Sequence, residues 1–382
     1  MAPEAYDVVF VGGGLAATLL LNELRSALPG RVAVIEPWPL FERPPVHWSY
    51  WSRVPTPYDR FAVGVWRWAR VAGASPESIA PFALRLVRST DVLAVMAEAL
   101  KGLSLERLRT TARSIVRGDD GLYDIATDAG TVRARWVFDS ACGVAPAFPS
   151  PHRPRAVLSG TGIRVEADRP VFDAGTATLF DPLDENSFAY LLLLSSAEAL
   201  LESASFGPAG VGEDRAPLLR YLRTRHPDAG FTVTHSEYGA IPLRFAPPRT
   251  AGQRHVLIGA KRGLVKPSAG YGVVRIAQES ERLGRLWRQH RPLPPSRRAP
   301  WPWGLLDMGS WAARRPGPQP AAGLAEPRLA RDPPRPVAGL HRRAALATTI
   351  GSAPPVGRPR RAPQALVAAR QGVGHLVVPP VS

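Results

Sequence analysis

Cysteine is almost absent from this sequence, and long apolar runs are missing altogether. The 382 residues include one cysteine, Cys142, which excludes an intrachain disulfide and favours a cytoplasmic protein. The longest unbroken apolar runs, such as Ala189–Leu194, are far shorter than the roughly 20 residues that span a bilayer. The first apolar run opens a glycine turn, so we expect no secretory signal.

Lysine is also scarce, and the positive charge lies mostly at one end. The net charge is +16, but 45 of the 48 basic residues are arginine, which is typical of a GC-rich genome. Residues 297–382 alone carry 13 arginines against 3 acidic residues. No basic motif interleaved with aromatic residues accompanies this charge, so nucleic acid is not predicted as a partner.

The C-terminal stretch has an unusual composition. It holds 15 of the 41 prolines and shows no sustained period of 2 or 3.6 residues. Two interpretations stay open for residues 311–382: a disordered Pro/Arg-rich tail, or a shifted reading frame that begins near Leu305–Ser310. Both predict little stable structure beyond about Trp311.

The N-terminus carries the most informative motif. A buried strand, Asp7–Val11, runs into a glycine turn, a helical pattern and a second strand that ends at Glu36. This order is typical of a dinucleotide-binding unit, in which the glycines admit a pyrophosphate and the acid accepts from a ribose hydroxyl. An acid in that place favours FAD over NADP. The predicted cofactor-binding residues are Gly12, Gly13, Gly14, Leu15, Ala16, Ala17 and Glu36.

A second glycine-bearing loop follows a late strand, His255–Ile258. Its glycines allow the backbone to lie close to a flat ligand, and a helix is predicted to begin at Gly272–Val273. An ordinary glycine-rich connection is the alternative. The further candidate cofactor contacts from this loop are Gly259, Gly263, Gly270 and Gly272.

Five motifs in a specific order connect these two ends. They are HWSYW (His47–Trp51), VFDSACG (Val137–Gly143), LLESASF (Leu200–Phe206), SEYGAIPL (Ser236–Leu243) and GLVKPSAGYG (Gly263–Gly272). Together with the glycine turn they resemble the flavin-dependent lycopene cyclases of carotenoid biosynthesis, in the bacterial β-cyclase branch. The resemblance covers roughly residues 5 to 310.

The resemblance implies an α/β fold with an inserted domain. A Rossmann-like FAD-binding domain would use segments of about 5–45, 110–150 and 250–290. An antiparallel-sheet substrate domain would use about 45–110 and 150–250, which gives a core of residues 1–310 before the tail. Asp139, Lys266, Pro267 and Tyr271 join the cofactor-binding candidates through the family motifs.

The resemblance also implies a reaction. Similar enzymes close a ring on the ψ-end of lycopene, or a related linear carotene, with reduced FAD and without net redox change. NAD(P)H is then the electron source, and an apolar substrate implies a peripheral contact with a membrane surface from the cytoplasmic side. Glu202 matches the first acid of the family's Leu-Glu-Glu/Asp-Thr motif, which follows a strand and a short helix, and the resemblance implies the same elements before Glu202 here. Ser203 and Ala204 replace the second acid and the threonine.

Catalytic and substrate residues follow from the same motifs. Burial of Glu202 in an apolar region would raise its pKa and suit a proton donor, although a solvated carboxylate is the alternative. Glu237 could orient the flavin or support Glu202, or face water. Aromatic faces can stabilise a carbocation, while plain core packing stays open for them. The predicted substrate contacts are Trp48, Tyr50 and Trp51.

Other functions are less well supported by the sequence. The eight histidines are scattered without metal-ligand spacing, so no metal site is predicted. A related flavin-dependent monooxygenase or polyprenyl reductase typically carries a Gly-Asp pair where this chain has Gly259-Ala260. An inactive product with a scrambled C-terminus is the third alternative.

Overall fold

The computed structural model describes residues 4–38, 45–142, 156–184, 187–207, 214–244, 254–266 and 269–294. The predicted tail, the proposed frame-shift point and Pro267 lie outside the described residues. All statements below concern the described part of the chain.

The described residues form four α-helices and seventeen strands. The helices are α1 (Leu15–Leu24), α2 (Ser89–Ala99), α3 (Ala216–Arg225) and α4 (Val273–Arg288), and Asp59–Phe61 and Gly259–Arg262 form short 3-10 helices. The strands are β1 (Tyr6–Val11), β2 (Val32–Ile35), β3 (His47–Ser52), β4 (Ala62–Trp66), β5 (Trp68–Val71), β6 (Glu77–Ser78), β7 (Ala83–Arg88), β8 (Leu105–Leu108), β9 (Ala112–Arg117), β10 (Tyr123–Thr127), β11 (Gly130–Asp139), β12 (Ala156–Ala167), β13 (Thr176–Pro182), β14 (Ser187–Leu193), β15 (Glu198–Gly207), β16 (Phe231–Arg244) and β17 (His255–Leu257).

The first sheet has a parallel centre. Strands β8, β2, β1, β11 and β17 run parallel in that order, and β10 and β9 extend β11 as an antiparallel meander. The run VVFV in β1 is buried on both faces, as a central parallel strand requires. Helix α1 packs against α4, and the indole of Trp287 in α4 donates to the carbonyl of Ala27 at 2.9 Å.

The second sheet is almost wholly antiparallel. Its order is β16-β12-β15-β14-β13-β5-β6, and only β13 and β5 run parallel. Strand β12 therefore lies between β15 and β16 over most of its length. Helix α3 covers the far end of the sheet, where Leu218 and Leu222 join a core with Ile163 and Leu201.

A small third sheet contacts the antiparallel sheet. Strand β7 pairs with β3 on one side and β4 on the other. At the end of β4, the indole of Trp66 donates to the carbonyls of Ala174 and Leu193, both at 3.1 Å. One buried side chain therefore ties the small sheet to the antiparallel sheet.

The structure confirms the predicted fold class and corrects two local details. The strand, glycine turn, helix and strand at the N-terminus are present, and α4 begins at Val273 with Gly272 as its N-cap. The resemblance implied a short helix before Glu202, but β14 and β15 form a hairpin there. The late strand ends at Leu257, one residue earlier than predicted. Every helix in the described ranges is too short or too polar to cross a membrane.

Candidate active site

The N-terminal glycine turn forms a cradle at the end of β1. Gly12 has a φ of +91°, and a Cβ there would lie 2.6 Å from the hydroxyl oxygen of Ser140, so only glycine fits. A Cβ on Gly14 would meet no protein atom within 4 Å, which leaves open space beside the turn. Helix α1 then begins at Leu15 with no side-chain cap and no acidic residue in its first turn. Its first N–H groups suit an anion such as a phosphate.

The acidic residue that follows β2, Glu36, has a role in the glycine turn that the sequence did not predict. Glu36 follows β2 as expected, and its Oε2 accepts a hydrogen bond from the backbone N–H of Gly13 at 2.6 Å. Its Oε1 accepts from the N–H of Trp38 at 3.3 Å. The carboxylate therefore shapes the glycine turn, and its oxygens have capacity for a further donor such as a ribose hydroxyl. The open space, the uncapped helix and this acid together fit a dinucleotide.

The late glycine loop connects the cradle to the antiparallel sheet. Gly259 has a φ of +62°, and a Cβ there would lie 2.7 Å from the Cβ of Ala16 in the first turn of α1. At the other end of the loop, Gly270 has a φ of +76°, and a Cβ there would lie 2.7 Å from Leu158 of β12. The loop therefore packs closely against the first turn of α1 at one end and against β12 at the other. Gly263, with a φ of +82°, has no protein atom within 4 Å of a Cβ position.

Asp139 lies at the end of β11 inside a buried charged cluster. Its Oδ2 accepts from the ammonium of Lys261 at 2.6 Å and lies 3.1 Å from Nε2 of His255. Burial alone would raise the pKa of Asp139, but Lys261 and His255 outweigh it and hold the pKa below its usual value. These contacts join β11 to the start of the late loop. They favour a structural role for the carboxylate next to the cradle.

Two carboxyl groups flank one glycine in the antiparallel sheet. Gly162 of β12 pairs with Glu202 on β15 and with Glu237 on β16. Residues opposite each other in a sheet point to the same face, so both carboxyl groups lie on one side. A Cβ on Gly162 would lie 2.6 Å from Cγ of Glu237. The missing side chain is therefore what lets the two groups share the space above β12.

Glu202 is buried, which excludes the solvated alternative for its side chain. Only 8% of the residue is exposed. Burial, followed by the negative charge of Glu237, raises the pKa of Glu202 well above its ordinary value. The group is therefore a neutral acid over a wider pH range than a free carboxyl. The neighbouring Ser203 exchanges hydrogen bonds with the backbone of Thr161, both at 3.2 Å.

The pKa of Glu237 is shifted in the opposite direction, because two histidines lie beside its carboxylate. Its Oε2 lies 2.8 Å from Nδ1 of His47 and 3.3 Å from Nε2 of His235. The backbone N–H of His47 also donates to this carboxylate at 3.2 Å. Burial would raise the pKa of Glu237, but the contacts with His235 and His47 outweigh it and lower the pKa. Two adjacent carboxyl groups thus have pKa values pushed apart, which is typical of acid–base sites.

A cavity opens beside this pair. It is a small cavity of about 30 Å³ that is partly open to solvent. Its wall combines apolar, aromatic and carboxyl groups on β12, β14, β15 and β16 with His47 from the small sheet. The lining residues include Leu158, Tyr190, Glu202, Glu237, Ile241 and His47. Because Leu158 and Ile241 also touch the late loop at Gly270, the cavity and the loop are neighbours.

Other predicted site residues are distributed around this cavity. Lys266 and Tyr271 of the late loop are buried, and burial raises the pKa of Tyr271 above its usual value. Gly272 caps α4. The rings of Tyr271 and Tyr190 lie 6.3 Å apart, which places the end of the loop against the cavity wall.

The three predicted aromatic residues of β3 are buried, but they do not all lie on the same face of the strand. The hydroxyl of Tyr50 donates to Asp59 at 2.8 Å, and Asp59 also accepts from Arg85 at 2.8 Å. That network favours a structural role for Tyr50. Trp48 and Trp51 are also buried in the main core. Alternate residues of a strand point to opposite faces, so Trp51, and not Trp48, shares the face of His47.

Sequence reasoning missed the two histidines. His47 was noted only within an aromatic motif, and His235 was not singled out. With Glu237 they offer three possible metal-ligand atoms within 4.8 Å of one another, although no such group was expected from their spacing. The pattern His-x-Glu on one strand was the available signal, since residues two apart share a face.

Solved structures with this fold include several flavin proteins. A flavoprotein/dehydrogenase from Cytophaga hutchinsonii has a TM-score of 0.53 at 14% identity, covering 81% of this chain and 84% of that chain. The flavin-dependent brominase Bmp2 has a TM-score of 0.51 at 13% identity, covering 81% and 85% of the two chains. A geranylgeranyl bacteriochlorophyll reductase-like protein from Thermoplasma acidophilum has a TM-score of 0.50 at 12% identity, with 75% and 78% covered. At these identities the likeness establishes the fold alone.

Family membership comes from the sequence match. No curated protein matches the chain. The family described as lycopene cyclase protein matches residues 7–303, a span that includes the cradle, both glutamates and the late loop. The chain therefore belongs to the lycopene cyclase family.

Proposed function

We propose that this chain is an FAD-dependent lycopene cyclase that closes the ψ-ends of lycopene to β-rings. The reaction is an acid-catalysed cyclisation through a carbocation, without net redox change. Family membership supports the substrate class. The observation that carries the chemistry is the buried Glu202, whose raised pKa keeps it protonated beside an ionised Glu237.

The proposed cyclisation needs one proton in and one proton out. Glu202 donates its proton to the terminal double bond of the ψ-end. The electron pair of a second double bond then forms the new ring carbon–carbon bond, and the positive charge moves to a ring carbon. Loss of a ring proton leaves the β-end double bond. Glu237 is the ionised base that lines the same cavity, so it counters the charge and is placed to accept that proton.

The cradle and the late loop would hold FAD. The turn from Gly12 to Ala17 would receive the pyrophosphate, and Glu36 a ribose hydroxyl. Open space at Gly263 would let the loop backbone approach a flat ring system, while Gly259 and Gly270 pack against Ala16 and Leu158. Reduced FAD, with NAD(P)H as its electron source, would supply negative charge that favours a carbocation.

An apolar linear carotene would enter the cavity from a membrane surface. The cavity wall includes aromatic side chains, and Trp51 of β3, on the same strand face as His47, extends the buried aromatic surface nearby. Aromatic faces attract positive charge and so can stabilise a carbocation. We therefore propose lycopene or a related linear carotene as the substrate, and peripheral membrane contact as the route.

The test is pigment chromatography of a lycopene-accumulating bacterial host that expresses the full chain. We expect new products with β-rings, and their loss in Glu202→Gln. Glu198→Gln is the matched control, because Glu198 lies on the same strand and pairs with Arg164 at 2.6 Å, away from Glu237. This control should keep its cyclic products.

Each failure has a distinct meaning. Unchanged lycopene with flavin-loaded protein would contradict the substrate. Cyclic products that persist in Glu202→Gln would contradict the assignment of the acid. Unchanged lycopene together with no bound flavin would contradict the proposed cofactor.

A further inference from the structure

We infer that His47 and His235 are positioning residues that determine which of the two carboxyl groups keeps the proton. They hold Glu237 as the anion, and this leaves the single proton of the pair on Glu202. The catalytic meaning of this arrangement rests on the proposed function. The location of the proton can be measured in the protein without substrate.

The geometry makes the two glutamates unequal. Both carboxyl groups face the same space beside Gly162, and both are buried. Among the described residues, imidazoles lie beside Glu237 alone: Nδ1 of His47 and Nε2 of His235 approach the same oxygen at 2.8 Å and 3.3 Å. The two imidazole rings stand edge to face, with centroids 5.8 Å apart. An N–H that points at a carboxylate stabilises its charged form, so the histidines act on one glutamate and not on the other.

His47 is the stronger of the two partners. Its ring and its backbone N–H both contact Glu237, so this one residue directs two donors at the carboxylate. His235 approaches the same oxygen less closely, with its Nε2 at 3.3 Å and outside strict hydrogen-bond geometry. The contact with Glu237 raises the pKa of His235 against the effect of burial. His235 is therefore a second partner that also favours the charged form of Glu237.

Few other charged groups face the pair. Arg164 of β12 is the nearest cation on that strand, and its guanidinium is paired with Glu198 at 2.6 Å. From β14 and the late loop, Tyr190 and Tyr271 lie on the side of Glu202. In the described residues the histidines are thus the main partners of Glu237. Removing the ring of His47 should raise the pKa of Glu237 and let it compete with Glu202 for the proton, although His235 and the backbone N–H of residue 47 stay beside it.

The first test locates the proton without substrate. Infrared spectroscopy of the purified full chain detects the carbonyl stretch of a neutral carboxyl group. In the parent protein we expect a neutral-carboxyl signal that Glu202→Gln removes and Glu237→Gln retains. In a His47→Leu background the signal should instead survive Glu202→Gln, because burial then keeps the less stabilised Glu237 neutral. Glu237→Gln should retain the signal in both backgrounds, since burial keeps Glu202 neutral.

Conservative and matched variants separate positioning from packing. His47→Asn keeps a side-chain N–H near the position of Nδ1 and should retain the parent pattern. His290→Asn is the control for histidine loss, because His290 is exposed and its φ of +52° is one that asparagine tolerates. Melting temperatures of all variants identify any that fail to fold.

The second test measures cyclisation against pH. In His47→Leu we expect kcat to fall by about tenfold or more, since one pKa unit is a tenfold change in the protonated fraction of an acid. KM should change little, because the polyene makes no contact that depends on this proton. The basic limb of the kcat profile, which reports loss of the last proton from the pair, should move to higher pH, because the doubly ionised pair has lost a hydrogen-bond donor.

Three results would overturn the inference. Glu202→Gln could remove the neutral-carboxyl signal in the His47→Leu background as it does in the parent, with an unchanged basic limb. His47→Asn could behave like His47→Leu with its fold intact. Stoichiometric Zn²⁺ binding by the parent protein, abolished by His235→Phe, would make the cluster a metal site instead. If the infrared signals behave as expected but the parent protein forms no cyclic product, the positioning role stands and the proposed function fails.

Discussion

At the scale of single residues, a missing side chain and two histidines define the site. Gly162 leaves room above β12 for two carboxyl groups, because a Cβ would collide with Glu237. Buried carboxyl groups are costly unless they are neutral or hydrogen-bonded, and each glutamate satisfies one of these conditions. Glu202 is kept neutral by burial, and Glu237 is kept charged by His47 and His235.

Glu202 should make the protein less stable as pH rises. Its pKa is higher in the folded than in the unfolded chain, so the native state holds a proton that the unfolded state has released. Between the ordinary carboxyl pKa and the raised pKa of Glu202, stability therefore falls by up to about 1.4 kcal/mol per pH unit. Glu202→Gln removes this loss. We expect the variant to gain stability over the parent protein progressively as the pH rises above about 4.5.

Urea unfolding of both proteins at a series of pH values measures this difference. Glu198→Gln serves again as the control, since it changes a carboxylate that is partly exposed on the same strand. A constant difference between parent and Glu202→Gln across the pH range would show that Glu202 is ionised in the fold.

At the scale of elements, a substitution in the turn before α1 can test flavin binding without changing the stability of the fold. Gly14 has a φ of −78°, which alanine adopts without strain, and a Cβ there meets no protein atom within 4 Å. Gly14→Ala should therefore leave the melting temperature of the flavin-free protein unchanged. It should strongly reduce flavin binding, because the added methyl group would occupy the approach to the pyrophosphate. Flavin absorbance of the purified protein reports the loss; full retention would mean that the pyrophosphate lies elsewhere.

The late loop offers a second element-scale test. Alanine at Gly259 or Gly263 must adopt a positive φ, which costs of order 1–3 kcal/mol at each position. At Gly259 the new Cβ would also lie 2.7 Å from Ala16, whereas at Gly263 it meets open space. Gly259→Ala should thus lower the melting temperature more than Gly263→Ala. Equal effects would show that the contact between the loop and α1 adjusts freely.

At the scale of the molecule, Trp66 joins two sheets. The residue is 1% exposed and its indole N–H serves the carbonyls of Ala174 and Leu193. Trp66→Phe leaves two buried acceptors without this donor and should reduce the free energy of unfolding by about 1–3 kcal/mol. Trp68→Phe is the matched control: Trp68 is 51% exposed, and the change should stay within about 0.5 kcal/mol. Denaturant unfolding measures the free energy of unfolding of both variants. Similar losses in the two would contradict the role of Trp66 in joining the sheets.

The sequence predicted best those features that one continuous stretch of residues forms. The cradle from β1 to Glu36 is one continuous stretch, so its strand, turn and helix could be identified from spacing alone. The start of α4 was predicted for the same reason. The hairpin before Glu202 was not, because a short helix and a tight turn differ little in local pattern and the pairing of β14 with β15 decides between them.

The sequence by itself determined the dinucleotide turn, because that turn depends on neighbouring residues, and its resemblance to a known family indicated the α/β class and the candidate acids. Only the tertiary structure decided how those acids differ. His47 and Glu237 are 190 positions apart and lie on different sheets, so their contact depends on how the sheets pack. The pKa values of Glu202 and Glu237 depend on burial and on those long-range partners. Two residues of the same type therefore acquire opposite protonation states only in the folded chain.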